Sequence, residues 1–236
     1  MSIASHRPLI TAHSGCDGTA DNSLEYLKHA LSLDVDGVEV DVRRDSSGNL
    51  ILAHDNGDIS CDLNSAFDLL QGHHNIKINC DLKIPGLEDS VFEMAKSKGL
   101  EGRLWYSGEV PFDWMRRNPG KAVWFLNAEL IFPDCRDFHY PADDEAFAPK
   151  AAAKAAEVLK QTGAACLNLD YKLYPTLFCR LLRRMEVPLS LWTPSAEDEI
   201  TYFLGEQVYN ITTRNTLFAC SARSEILNSA GEEMTN

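Results

Sequence analysis

Seven side chains in the first 83 residues of the sequence could do chemistry together. Glu39 and Asp41 stand two residues apart in the run Val38-Glu39-Val40-Asp41-Val42, and Asp81 and Lys83 repeat that spacing further on. Side chains two residues apart on an extended strand point to the same face. Burying such ionised groups unpaired is costly, yet they interrupt otherwise apolar strands. Three carboxylates converging from two neighbouring strands make a hard-oxygen site suited to Mg²⁺ or Ca²⁺ rather than zinc. His13 ends the apolar run that begins at Leu9, and His54-Asp55 follows Leu50-Ile51-Leu52-Ala53. An imidazole with a pKa of about 6.5 can donate or accept a proton near neutral pH. Each piece has a plain structural reading as well. Glu39 and Asp41 could line a solvated strand face, and Asp81–Lys83 could be an interior ion pair. His13 could satisfy a backbone group, and Asp55 favours turns. The functional reading rests on all four pieces falling at strand ends.

These residues need a scaffold that brings strand ends together. Strand-like runs are predicted at 9–13, 38–42, 50–53, 76–84, 104–107, 122–130, 166–170, 189–193 and 208–213. Helical spacing or capping signals predict helices starting at Asn22 or Ser23, at 63–70, 89–98, 111–118, 150–159, 176–185, 197–204 and 223–227. Ser46-Ser47-Gly48-Asn49 reads as a hairpin turn, which makes 50–53 an extra strand. Strands alternating with helices imply a parallel sheet, and eight such units imply closure. The expectation is one (β/α)8 TIM barrel over residues 1–236, close to the roughly 250 residues typical of that fold. Its active site would lie at the carboxyl ends of the strands.

Composition narrows the partners. Apolar residues make up 44% and charged residues 24%, as in an ordinary globular protein. A formal net charge of -13 argues against nucleic acid, which needs a basic face. No run approaches the ~18 apolar residues of a membrane span, so no stable membrane insertion is expected. The seven cysteines show no close CxxC pairing, and no signal peptide is evident, which predicts reduced thiols in a cytoplasmic protein. No repeat or heptad pattern decides an oligomeric state.

The ordered motifs resemble the glycerophosphodiester phosphodiesterase family. Its His-Arg-Gly opening, Glu-Asn-Thr helix start, Glu-x-Asp strand and post-hairpin His-Asp correspond to His13-Ser14-Gly15, Asp21-Asn22-Ser23, Glu39-Val40-Asp41 and His54-Asp55. The family's third metal carboxylate and its lysine match Asp81-Leu82-Lys83, and Leu191-Trp192-Thr193 looks like its Trp-Thr strand. The resemblance implies hydrolysis of a small-molecule phosphodiester. Glu39, Asp41 and Asp81 would hold one divalent cation, Mg²⁺ or Ca²⁺, with His13 and His54 as acid and base and Lys83 stabilising charge. Three departures stand out. Ser14 replaces an arginine that helps hold phosphate, Asp81 replaces a glutamate, and Thr213-Arg214 replaces Thr-Asp. Arg214, Arg43 and Arg44 are candidates to compensate. The Asp-x-Lys pattern also resembles sphingomyelinase D barrels, which brings in lysophospholipid or choline-type diesters, phospholipase D-like cleavage or cyclisation.

Further candidates for substrate contact fall near later strand ends: Glu129, Asn168, Asp170 and Trp192. Trp192 reads either as a wall against the alcohol or as barrel packing. The 132–149 loop is longer than most connections, and Phe132, Phe138 and Tyr140 would cover the substrate or pack on the rim. Two other classes remain. A catalytically silent barrel would bind a phosphorylated metabolite. An aldolase-type barrel would need Lys83 as a Schiff-base lysine, which its acidic neighbours would keep charged.

Overall fold

The computed structural model describes residues 7–55, 61–136 and 141–233. Ten strands form one sheet: β1 Leu9–Ala12, β2 Gly37–Arg44, β3 Leu50–Leu52, β4 Cys61–Asp62, β5 Lys77–Leu82, β6 Leu104–Gly108, β7 Val123–Asn127, β8 Cys166–Asp170, β9 Leu189–Trp192 and β10 Asn210–Thr213. Eight of them run parallel in the order β1-β10-β9-β8-β7-β6-β5-β2, and pairing of β1 with β2 closes the cylinder. The helices are α1 Leu24–Leu31, α2 Leu63–Leu70, α3 Glu88–Ser97, α4 Phe112–Arg117, α5 Ala148–Thr162, α6 Leu177–Arg184, α7 Glu197–Gly205 and α8 Thr216–Glu233. The expected eight strand–helix units and the closed barrel are present. β3 and β4 are antiparallel additions beyond the end of β2, and β4 is a short strand that hydropathy patterning did not reveal.

Local signals explain most of these elements. Ser23 caps α1 by accepting from the Tyr26 amide at 3.0 Å, and Asp62 caps α2 through Ser65 at 2.9 Å. β2 is buried from Gly37 to Val42, as a strand covered by helices outside and side chains inside must be. Val38, Val40 and Val42 are fully buried in the main core with Ile10 and Ala12 of β1. A second, smaller cluster gathers Trp105, Phe125 and Cys166, with Leu9 and Tyr209 packed against it. Trp105 stacks on Phe125 at 5.1 Å, and Phe125 meets Tyr209 edge-on at 5.8 Å. Gly37 gives the Trp105 ring its space, because a Cβ there would fall 2.7 Å from it. Gly37→Ala should therefore cost about 1–3 kcal/mol by overpacking. Urea denaturation checks this, and an unchanged midpoint would show that Trp105 can move.

Three boundaries differ from expectation. β7 ends at Asn127, and Ala128–Leu130 form a 3-10 turn, so Glu129 is not on a strand. α5 starts at Ala148, two residues before the predicted Lys150. Asp144 accepts from the Ala146 and Phe147 amides, both at 2.8 Å, and Pro149 suits a first turn. α8 begins at Thr216, not Arg223. Asp17 accepts from the Leu217 amide at 3.2 Å, and Arg223, buried mid-helix, bonds Asp34 and Asp36. In the long connection after β7, Phe132 packs edge-on against Phe178 at 5.8 Å, so it belongs to the core and not to a substrate cover. Phe138 and Tyr140 lie outside the described residues. Among the described residues no helix is long and apolar enough to cross a membrane, and all seven cysteines are free thiols.

Candidate active site

A cavity of about 550 Å³ opens at the carboxyl ends of the strands. Its wall includes His13 just past β1, Glu39, Asp41 and Arg43 of β2, His54 and Asp55 after β3, and Asn79, Asp81 and Lys83 on and beyond β5. Ser107, Asn127, Asn168 and Trp192 complete the far side. Strand register explains the convergence. β2 and β5 pair in parallel with Glu39 opposite Asn79 and Asp41 opposite Asp81, so alternate residues of both strands point inward together. One carboxylate oxygen from each of Glu39, Asp41 and Asp81 lies within 4.8 Å of the others.

Each carboxylate is held by its own partners. Glu39 Oε2 accepts from the Ser14 amide at 3.0 Å. Asp41 exchanges two bonds with Asn22: the Asn22 amide group donates to Oδ2 at 2.7 Å, and the Asp41 N–H donates to Asn22 Oδ1 at 2.9 Å. Asp81 Oδ1 accepts from Ser107 Oγ at 2.7 Å, and Asn79 Nδ2 donates to Ser107 at 3.1 Å. Tyr26, fully buried, places its hydroxyl 2.7 and 2.8 Å from the Ala12 and Glu39 carbonyls, which share its one proton, and accepts from the Glu39 amide at 3.2 Å. This hydroxyl ties β1 to β2 behind the site. Tyr26→Phe leaves buried backbone groups unsatisfied, so unfolding free energy should fall by about 1–3 kcal/mol. Thermal denaturation beside metal titration tests whether the loss also loosens Glu39.

Charge in the cluster is only partly offset by one lysine. Lys83 Nζ bridges Asp41 at 2.7 Å and Asp81 at 2.5 Å. Burial alone would lower the Lys83 pKa, but Asp81, Asp41 and Glu39 together hold it well above the ordinary lysine value. Burial would likewise raise Asp41, yet Lys83 and Asn22 hold it below the usual carboxylate range. Glu39 goes the other way. Burial, then repulsion from Asp41 and Asp81, pushes it well above the ordinary value. The three carboxylates thus carry more negative charge than Lys83 can neutralise, and a divalent cation with hard-oxygen preference fits the donor set. Burial lowers His13 below the ordinary imidazole value. Its Nδ1 lies 2.9 Å from the Ser14 carbonyl, which can only accept, so the ring proton sits on Nδ1 and the lone pair on Nε2.

Not every expected residue reaches this cavity. Glu129 does not line it, because the 3-10 turn after β7 carries that side chain past the strand end, and Asn127 takes the place in the wall. Asp170 accepts from the Lys172 amide at 2.9 Å and caps the following turn instead of lining the cavity. Asn168 and Trp192 do line it. Asn22, Tyr26, Ser107, Asn79 and Asn127 were not singled out as site residues from the sequence. Asn22 reads there only as a helix start signal, and its positive φ of 57°, which turns its amide onto Asp41, leaves no mark on spacing. Ser107 and Asn79 do fall on the inward face of their strands, a signal the period of two contains.

Two other features are structural. Cys16, Asp17 and His29 also cluster, but Asp17 accepts from His29 Nε2 at 2.8 Å and from the Leu217 amide, which anchors α8. A shallow aromatic groove of about 500 Å³ between Tyr171, Tyr174, Tyr202 and Phe203 also holds Lys172, Asp198 and Glu199 but no histidine, and Glu199 accepts there from the Tyr171 hydroxyl at 2.9 Å.

A closed eight-stranded parallel barrel with an acidic, histidine-flanked mouth is thus the class that fold and site define. No protein-family model and no curated protein matches the chain. Among solved structures, the chain is similar to a glycerophosphodiester phosphodiesterase from Parabacteroides distasonis, at 17% identity and TM-score 0.67, with 97% of this chain and 100% of that chain covered. It is also similar to one from Thermotoga maritima, at 16% identity and TM-score 0.62, covering 94% of this chain and 99% of that one. A third is an Oleispira antarctica phosphodiesterase in complex with the product sn-glycerol-3-phosphate, at 15% identity and TM-score 0.67, covering 92% and 97%. The barrel fold is the one these phosphodiesterases share.

Proposed function

We propose that this chain is a divergent glycerophosphodiester phosphodiesterase, a metal-dependent hydrolase that releases sn-glycerol 3-phosphate and an alcohol. The observation that carries this reading is the gathering of Glu39, Asp41, Asp81, Lys83, His13 and His54 in one cavity at the barrel mouth. The product-bound Oleispira relative, alike in fold, supports the substrate class.

Glu39, Asp41 and Asp81 would hold one Mg²⁺ or Ca²⁺. Bound there, the cation supplies Lewis-acid polarisation of the phosphoryl oxygens and orients the diester. Lys83, held at the edge of the carboxylate cluster, places a positive charge where negative charge accumulates in the transition state. His13, whose cation burial disfavours, offers Nε2 as the general base that takes a proton from the water attacking phosphorus. His54, which follows β3, then serves as the general acid that protonates the leaving alkoxide. The Ser14 carbonyl fixes the His13 tautomer needed for that role. Trp192 forms a wall against the alcohol moiety.

Phosphorus-31 spectra of glycerophosphocholine turned over by the purified protein test the reaction. The expected accumulating product is sn-glycerol 3-phosphate. A stable cyclic phosphate would mark a cyclising enzyme, choline phosphate a different bond cleaved, and unchanged substrate with every divalent metal a silent barrel.

A further inference from the structure

The wall of the cavity is divided by charge. Its ionisable members, among them His13, Glu39, Asp41, His54, Asp81 and Lys83, stand on or just beyond β1, β2, β3, β5 and β6. The other side, from β7 to β10, contributes Asn127, Asn168, Trp192, Thr193 and Thr212, none of which carries a charge. Around the closed barrel β8 lies four strands from β2 in either direction, so Asn168 stands across the mouth from Glu39 and Asp41. Alternation along β8 turns it inward: Leu167 and Leu169 pack in the main core, whereas Asn168 lines the cavity.

Asn168 is only 8% exposed, and half of its amide is unused. Its Nδ2 donates to Asn127 Oδ1 at 2.9 Å, which fixes the group in the wall, while its Oδ1 has no partner. Buried polar atoms are nearly always paired, so this oxygen calls for a donor from the cavity. Asn79 Oδ1 is also unpaired, but Asn79 sits two residues before Asp81 on the charged side, and its amide group donates to the serine that holds Asp81. The missing donor can be named by its chemistry. Ionised phosphate and carboxylate oxygens only accept, and a trimethylammonium has no N–H. A hydroxyl donates. A primary ammonium donates too, but no carboxylate on β7 to β10 lines the cavity to favour a cation there. With phosphate on the charged side, the substituent that always brings hydroxyls to the neutral side is glycerol. We propose that Asn168, positioned by Asn127, binds a hydroxyl of the substrate's glyceryl group, an assignment that rests on the hydrolase reading above and makes the neutral wall the part of the site that selects glycerol.

The test compares sn-glycerol 3-phosphate with propyl phosphate, which has the same carbon chain without hydroxyls. Both are titrated calorimetrically into the full chain in excess Mg²⁺. The expected result is about 10-fold tighter binding of sn-glycerol 3-phosphate by the wild type, the upper end of what one neutral hydrogen bond contributes. Asn168→Leu, similar in size but without polar atoms, should bring the ratio of the two affinities close to one. Asn168→Ser makes a smaller, polar change and should retain part of the preference. A wild type that does not distinguish the two phosphates would overturn the assignment. So would variants that weaken both ligands equally, the mark of a side chain that only braces the wall. Phosphoethanolamine that binds more tightly than sn-glycerol 3-phosphate, with an advantage lost in Asn168→Leu, would put an ammonium at Asn168 and overturn it as well. Wild-type protein that binds neither phosphate also overturns it, and turnover of glycerophosphocholine by that sample would leave the hydrolase reading standing. A preference that depends on Asn168 in a protein that cleaves no diester would remove the hydrolase reading and keep the hydroxyl site.

Discussion

Replacing His13 by alanine is expected to lower kcat by about 10²–10⁴-fold while leaving metal binding intact. That range is what a positioned general base contributes to proton transfer. His13 reaches Glu39 only at 3.9 Å, so it is not part of the carboxylate cluster itself. The pH profile gives an independent check. Burial lowers the His13 pKa below 6.5, so the base is already deprotonated at neutral pH. In the wild type, kcat/KM should therefore rise with pH along a limb centred below 6.5 and level off above it. The alanine variant should lose that limb. A limb centred above 6.5, or a variant with full turnover, would remove His13 from the base role.

Replacing Lys83 by methionine should destabilise the metal-free protein by about 3 kcal/mol, the lower end for stranding a buried charge partner. Only 20% of the Lys83 side chain is exposed, and it touches Asp41 and Asp81 directly. The variant leaves those carboxylates with only their neutral hydrogen-bond donors. Mg²⁺ supplies the lost positive charge, so it should raise the stability of the variant more than that of the wild type. The sign with pH follows from Asp41. Its folded pKa lies below the ordinary 3.8, so its stabilising pair is complete above that value and is lost as pH falls through the depressed one. The gap between wild type and variant should accordingly close in acid. Urea denaturation in EDTA and in Mg²⁺ measures both effects. A loss below about 1 kcal/mol, typical of exposed pairs, would mean that Lys83 is effectively solvated.

These expectations depend on parts of the site that the sequence shows to different degrees. The inward alternation of Glu39 and Asp41, and of Asp81 and Lys83, is visible because a strand has a period of two and both strands are otherwise apolar. A different alternation, of strands with helices across eight units, announces the barrel. Glu129 shows where such reading stops: strand-like composition runs to Leu130, but the backbone leaves the sheet after Asn127, and Glu129 is not in the cavity wall. The arginine question is of the same kind. Arg43, Arg44 and Arg214 are equal candidates by type, and only the closed barrel separates the one that lines the cavity from the two that do not. Asn22 and Tyr26 are hidden for a different reason. Both sit in or beside α1 with ordinary helix-start or core roles, and their bonds to Asp41 and Glu39 exist only after the first βα unit has packed.

The most direct test of the central claim is hydrolysis of bis(p-nitrophenyl) phosphate and glycerophosphocholine in Mg²⁺, Ca²⁺, Mn²⁺ or EDTA, with Asp81→Ala as the control. The expected result is turnover that EDTA abolishes, that added metal restores, and that the control lacks. Turnover that persists in EDTA, or a fully active Asp81→Ala protein, would contradict it.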